Sequence, residues 1–410
     1  MRLILILPIA LITAAKAPSQ TPGHAGGHAH STPAAGTNDL RADAAFDSEG
    51  RLWMVRTRYG FLEVRRSDDL GRSWEDPIHV TAQPEPVDPG GDARPKVLPA
   101  PGGRLFVSWT RPLAKPYTGE IRLARSLDGG RSFEPPITVH RDRAEITHRF
   151  DAMALDRAGR LFVAWIDRRD ALAAAAAAKP YRGAALYFAV SDDGGATFRG
   201  DFKAADHTCE CCRVALVPAA GRGVLALWRH IFEPNVRDHA IANLREDGTA
   251  DQLRRVTADD WRVDACPHHG PSLVEDERGR RHAVWFTATA AGGRAAYGRL
   301  GPGPGPEAKR LLGGKLAAHA DLAVAGNMIV TAWKEFSSGH NLLKLAVSED
   351  DGVTWRDTVL DETEGGCSQP RVLIRGGTFF VFWNTGTGPS LHAIPGAGSP
   401  NAAKPANLPP

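Results

Sequence analysis

His207-Thr208-Cys209-Glu210-Cys211-Cys212-Arg213 gathers three thiols and an imidazole in one short stretch, and Asp264-Ala265-Cys266-Pro267-His268-His269 adds a fourth thiol with two more imidazoles. Thiolates combined with imidazoles are ligands for soft or borderline ions, copper(I) and zinc(II) foremost. Three sulfurs within four residues cannot all face the same way. A second segment is therefore expected to complete any shell, and the Cys266 stretch is the candidate. The same residues admit two other chemistries. Cys209 with Cys212, or Cys266 with Cys367, can form disulfides if their Cα atoms come within about 4.4 to 6.8 Å, although five cysteines leave at least one thiol over. A thiol beside histidine can also be a low-pKa nucleophile, but nothing in the sequence orients a base for Cys211 or Cys212.

What must position these residues is a repeat. Gly103-Arg-Leu-Phe-Val-Ser-Trp109 and Gly159-Arg-Leu-Phe-Val-Ala-Trp165 show the pattern, a glycine turn followed by an alternating apolar run that ends in tryptophan. Trp228, Trp285, Trp333 and Trp383 close further copies, and Gly50-Arg-Leu-Trp-Met-Val-Arg56 is a copy with arginine in the tryptophan place. A period near 50 residues, made of short strands and tight turns, predicts an array of small sheets. Four-stranded antiparallel units around an axis make an all-β propeller, which avoids long exposed sheet edges. Seven copies predict seven blades, with six as the alternative because a pattern counts copies and not closure. The last copy holds about three strands (372–375, 378–384, 389–394), so residues just before Arg41 are expected to supply a fourth. The alanine run Ala173 to Ala178 predicts a short helix in a long loop.

Four units carry one more motif between their third and fourth strands: Ser67-Asp-Asp69-Leu-Gly71-Arg-Ser-Trp74, Ser126-Leu-Asp128-Gly-Gly130-Arg-Ser-Phe133, Ser191-Asp-Asp193-Gly-Gly195-Ala-Thr-Phe198 and Ser348-Glu-Asp350-Asp-Gly352-Val-Thr-Trp355. Asp and Ser side chains bond the backbone of their own turn, glycine supplies the positive φ, and the aromatic residue is buried between strands. On these motifs the chain resembles the Asp-box (bacterial neuraminidase repeat) propellers, of which sialidases are the best known. Blade 4, with Glu246-Asp-Gly248, and blade 5, with Gly301 to Pro306, have lost the motif at that turn. The resemblance implies a possible exo-glycoside hydrolase in which three arginines hold a substrate carboxylate and an aspartate is the acid/base. Arg41 stands where the family has its first arginine, Arg213 and Arg371 match the others, and Asp92 matches the acid. The chain departs from the family in two ways. Arg41-Ala-Asp43 replaces the usual Arg-Ile-Pro, and none of Tyr59, Tyr117, Tyr181, Tyr187 and Tyr297 lies at a strand start, where the family's tyrosine nucleophile must reach the axis.

In an up-and-down blade the first-strand starts share one face, opposite the Asp-box turns. Phase therefore carries the argument: Cys209, Cys211, Cys212, Cys266, Cys367, His207, His268, His269 and His319 all stand just before a first strand. These are the predicted metal ligands at the axial face. The favoured reading is a binding, carrier or sensing module for copper or zinc, served by a protein partner in metal handling, and not an enzyme. A sialidase-type hydrolase is the alternative, and a disulfide-stabilised propeller that binds protein or glycan is the third reading.

Composition fits a globular chain of this kind. A net charge of +3 is too small and too dispersed to argue for nucleic acid or a membrane surface. Met1-Arg2 followed by an apolar run from Leu3 to Ala15 reads as a secretory leader over 1–17, so the protein is expected to be periplasmic or secreted. Residues 18–38, with His24, His28 and His30, have almost nothing to bury and are predicted to be a disordered linker; 395–410 read as a similar tail. The propeller is expected over 39–394. No stretch approaches the roughly 20 apolar residues that span a bilayer.

Overall fold

Alternation of apolar side chains on either side of each glycine turn gives a hairpin with both faces buried, and seven such hairpins are the centres of seven sheets in a computed structural model that describes residues 40–289 and 292–396. Blade 1 comprises Ala42–Phe46, Leu52–Arg58, Phe61–Ser67 and Ile78–His79; blade 2 Lys96–Ala100, Arg104–Pro112, Gly119–Ser126 and Ile137–Thr138. Blade 3 is His148–Leu155, Leu161–Asp167, Ala184–Ser191 and Arg199–Thr208, and blade 4 is Ala215–Pro218, Val224–Arg229, His239–Leu244 and Arg254–Arg255. Blades 5 and 6 are Ser272–Glu275, Arg281–Thr289, Gly292–Leu300, Pro306–Leu312 and Ala317–Ala325, Met328–Ser337, His340–Ser348, Arg356–Thr363. Blade 7 has three strands among the described residues, Arg371–Arg375, Thr378–Thr385 and Gly388–Ile394. The segment expected to add its fourth strand lies outside the described residues, as do the leader, the histidine-containing linker and nearly all of the tail. All pairings are antiparallel and follow chain order within each sheet.

The innermost strands pack side by side in sequence, and Arg371–Arg375 packs against Ala42–Phe46, which closes the ring at seven blades and removes the six-blade alternative. A channel of 560 Å³ runs along the axis and is lined by the first strand of every blade. Trp109, Trp165, Trp228, Trp285, Trp333 and Trp383 are fully buried between blades. Their indoles are anchored as well: Trp109 Nε1 donates to Glu85 (3.0 Å), Trp165 to Asp167 (2.9 Å), Trp285 to Asp259 (2.6 Å), Trp333 to Glu335 (3.2 Å) and Trp383 to the Ser368 carbonyl (3.1 Å). Trp228 alone of the six has a buried indole N–H without a hydrogen-bond partner.

The Asp-box turns form as their residue types dictate. In the first, Ser67 Oγ donates to Asp69 (2.9 Å) and accepts from Gly71 N (2.7 Å), while Ser73 donates its N–H (2.8 Å) and Oγ–H (2.6 Å) to the same carboxylate. These bonds hold the Asp69 carboxyl at a pKa of about 2, and Asp128 and Asp350 likewise. The predicted helix is present as Arg169–Ala176 in the loop between the second and third strands of blade 3. No helix among the described residues is long and apolar enough to cross a membrane.

Candidate metal centre at the axial face

Blade 3 ends in a long outer strand whose last residue, Thr208, bridges to His230 beyond the second strand of blade 4. Gly183 permits this approach, because a Cβ there would fall 2.1 Å from the Thr208 carbonyl. The register continues with Ile231 N on the His207 carbonyl (2.7 Å) and Cys209 N on the Arg229 carbonyl (2.9 Å), which fixes Cys209 beside Arg229. The chain then turns at Glu210-Cys211 and brings Cys212 back towards Cys209. Sequence spacing alone predicts that three sulfurs within four residues do not all face the same way. Because the stretch is a turn, all three sulfurs converge: Cys209 Sγ lies 3.7 Å from Cys211 Sγ and 3.8 Å from Cys212 Sγ, and the three lie within 4.8 Å of one another.

The trio is between 1 and 3% exposed and packs against Ala93, Phe150 and Trp228. All five cysteines are free, so the disulfide pairings Cys209–Cys212 and Cys266–Cys367 are not formed. Cys266 is exposed, and the influence of Cys211 lowers the pKa of its thiol. Hydrogen bonds from Cys211 and Cys212 hold the Cys209 thiol well below its usual pKa despite burial, with Arg229 and Arg237 adding to the effect. The Cys211 thiol is pushed up by its bond to Cys209, and burial pushes Cys212 up to about 12. Within the cluster Cys209 is thus the thiol most readily ionised.

Two guanidinium groups explain why a negative charge is tolerated there. Arg229 is 2% exposed and donates only to carbonyls, those of Arg237 (2.9 Å), His269 (3.1 Å) and Phe286 (2.7 Å). Arg237 Nη1 donates to Cys209 Sγ (3.5 Å). Neither has a carboxylate partner among the described residues. A buried cation without an anion is costly, so the thiolate is the counter-charge that the packing requires. Sequence reasoning missed both arginines. Arg229 carried a legible signal, since it is a charged residue in the wholly buried strand Val224–Arg229; Arg237 comes from an irregular loop and carried none.

The remaining predicted ligands fall elsewhere. His207 sits against Tyr181 (ring centroids 4.7 Å) and accepts weakly from Arg182 N (3.4 Å), in the strand that precedes the turn collecting the sulfurs. Cys367 bridges to Thr385 in blade 7, packed against blade 6 residues and remote in the ring. His268 is exposed on the loop that carries Cys266. His269 and His319 pack edge to face (4.4 Å between centroids) in a second, sulfur-free group centred on Asp92. Burial lowers the pKa of His269 to about 2 and lowers that of His319, so both imidazoles are neutral.

The Asp92 group holds the ring together at its axis. Asp92 Oδ1 accepts from Arg213 Nη1 (2.8 Å) and Gln369 Nε2 (3.0 Å), and Oδ2 accepts from Gly270 N (2.6 Å) and Arg213 N (3.2 Å). Gly270 must be glycine because a Cβ would lie 2.2 Å from Arg213 Cγ. Burial would raise the Asp92 pKa, but Arg213 and His319 outweigh it and hold the carboxyl well below the usual range. Asp92, the predicted acid, thus stands as a carboxylate held by four hydrogen bonds. Arg371 bonds Asp43 (2.8 Å) and Asp321 (2.9 Å), and Arg94 reaches Gln369 (3.1 Å). Arg94, Arg213 and Arg371 converge around Gln369 and Asp43, and Arg41, the predicted first member, is within electrostatic reach of Asp88.

No family model and no curated protein matches the chain. Solved structures do. A polysaccharide lyase, an ulvan lyase described in complex with -[GlcA(1-4)Rha3S]-, is 9% identical with a TM-score of 0.55, over 86% of this chain and 91% of that one. The chain folds as a seven-bladed β-propeller. An α-L-arabinofuranosidase of Fusarium graminearum (12% identity, TM-score 0.48, 87% and 92% covered) and the NanB sialidase of Streptococcus pneumoniae (12%, 0.45, 78% and 68%) also match. At such identities the likeness is one of fold.

Proposed function

We propose that the protein is an exported binding or carrier module for a soft metal ion, copper(I) before zinc(II), held by Cys209, Cys211 and Cys212 with Cys266 at the mouth of the site. The observation that carries this reading is the sulfur spacing. Metal–thiolate bonds of about 2.3 Å put the sulfurs of a trigonal or tetrahedral shell roughly 3.8 to 4.0 Å apart, and the observed separations are 3.7 and 3.8 Å. Charge favours the monovalent ion. Three thiolates with copper(I) carry −2, which Arg229 and Arg237 balance, whereas a divalent ion leaves the pocket net positive. Three protein sulfurs also satisfy copper(I), while zinc(II) needs a fourth ligand.

The test is metal analysis of the full chain purified under reducing, oxygen-free conditions and offered copper(I), with Cys211→Ser/Cys212→Ser as control. Stoichiometric copper in the wild type and little in the variant is expected; equal and negligible amounts in both would refute the site. Sialidase-type exo-glycoside hydrolysis is the second reading, supported by the glycan-acting enzyme that shares the fold and by the three converging guanidinium groups. Release of a fluorophore from a sialic acid conjugate, abolished in Arg213→Ala, is the result that would establish it over the first.

A further inference from the structure

Cys209 and Cys212 are the first and fourth residues of a turn whose central residues are Glu210 and Cys211. Such a turn brings its end Cα atoms within about 7 Å, a range that overlaps the roughly 4.4 to 6.8 Å found across a disulfide. The sulfurs of this pair are already 3.8 Å apart. Rotation about the side-chain bonds closes the rest of the distance to the about 2.05 Å of an S–S bond. The other two pairings fit less well. Cys209 and Cys211, with sulfurs 3.7 Å apart, are separated by a single residue, and Cys211 and Cys212 are adjacent, so each would close a smaller ring and distort the backbone. Cys209 is the sulfur common to both short separations, and Arg237 Nη1 stands 3.5 Å from it, a cationic contact that favours this sulfur as the attacking one. The outer side of the turn is Glu210, partly exposed and tied to Arg168 (3.6 Å), so the buried trio lies just beneath the surface, where a small neutral molecule needs less opening than a hydrated ion.

Resting on the metal site proposed above, we infer that the site is redox-gated: a hydroperoxide joins Cys209 to Cys212, and the oxidised site no longer holds copper(I). Cys209 Sγ attacks one peroxide oxygen. An S–O bond forms as the O–O bond breaks, and the other oxygen leaves with the thiol proton, as water from hydrogen peroxide. Cys212 Sγ then attacks the Cys209 sulfur; the S–S bond forms, the S–O bond breaks, and the hydroxyl leaves as a second water with the Cys212 proton. Two electrons pass from the two thiols to the peroxide. Of the three proposed ligands only Cys211 remains, so the shell is lost. A dithiol reductant reverses the change by thiol–disulfide exchange and restores the site.

The experiment uses the full chain, metal-free, reduced and oxygen-free, treated with equimolar hydrogen peroxide, desalted and divided. One part is denatured in iodoacetamide and digested without reductant. Mass spectrometry is expected to show Cys209 joined to Cys212, with Cys211, Cys266 and Cys367 alkylated. The other part is offered copper(I) bicinchoninate and is expected to take up roughly a tenth or less of the copper that the reduced chain takes, one thiol being a poor site for the ion; dithiothreitol followed by desalting restores the uptake. Cys211→Ser is expected to form the same disulfide and Cys212→Ser none. Five alkylated cysteines after peroxide, or a bond joining any other pair, overturns the inference and leaves the metal site standing. Undiminished copper uptake by the oxidised chain also overturns it. A reduced chain that takes no copper removes the metal site, and the gate with it, whatever the peptide map shows.

Discussion

Asp92→Asn separates a structural carboxylate from a catalytic one. Asp92 is 1% exposed and accepts four hydrogen bonds, from residues that belong to blades 4, 5 and 7, with Arg213 supplying two of them. The amide keeps the shape but loses the charge, and its NH2 turns a donor towards either the Arg213 guanidinium or the Gly270 N–H. Arg213, itself buried, is left uncompensated. Breaking a buried pair from one side costs about 3 to 5 kcal/mol. At roughly 2 °C or a little more per kcal/mol for a domain of this size, the thermal midpoint falls by about 6 to 12 °C. Scanning calorimetry of wild type and Asp92→Asn at neutral pH and one scan rate is the assay. A fall of less than about 2 °C, well outside that range, would show that the carboxylate does not hold the axis together and would reopen its assignment as a reacting group.

The tryptophans offer a paired comparison. Trp165→Phe removes an indole that bonds Asp167 (2.9 Å), whereas Trp228→Phe removes one without a partner, so the first is expected to cost about 1 to 3 kcal/mol more in denaturant unfolding; equal losses would show that the Trp228 N–H is satisfied in solution. The Asp-box carboxyls give a pH dependence of definite sign. Their folded pKa values of about 2 lie below the ordinary 3.8, so their contribution is present in full above that ordinary value and is lost as pH falls towards 2. Denaturation midpoints measured from pH 5 down to 2 should decline over that window, and Asp69→Asn/Asp128→Asn should flatten the decline; an unchanged slope would refute the assignment.

Much of the architecture was legible because a repeated local pattern demands the same local structure each time. The glycine turn, the buried tryptophan and the Ser-x-Asp-x-Gly turn each satisfy their own backbone within a few residues, and phase then says which ends share a face. Closure at seven was not legible, since it rests on Arg371–Arg375 meeting Ala42–Phe46, a contact between the two ends of the described chain. The same division runs through the site. Phase gathered nine candidate ligands at one face, but the axial face is wide, and blade position splits them into sulfurs of blades 4 and 5, an Asp92 group with two neutral histidines, and outliers at His207, His268 and Cys367.

What the sequence determined by itself is everything that depends on periodicity and residue type: an all-β propeller, its Asp-box turns, the axial phase of every cysteine. Only the tertiary structure decided that Cys209, Cys211 and Cys212 point at one another, because that depends on a turn at Glu210-Cys211 imposed by the bridge from Thr208 to His230 in the next blade. It also decided that Arg229 lies buried with only carbonyl acceptors among the described residues, and that Asp92 is gripped by four hydrogen bonds from three other blades. Charge in a protein interior takes its meaning from its neighbours, and those neighbours come from distant parts of the chain.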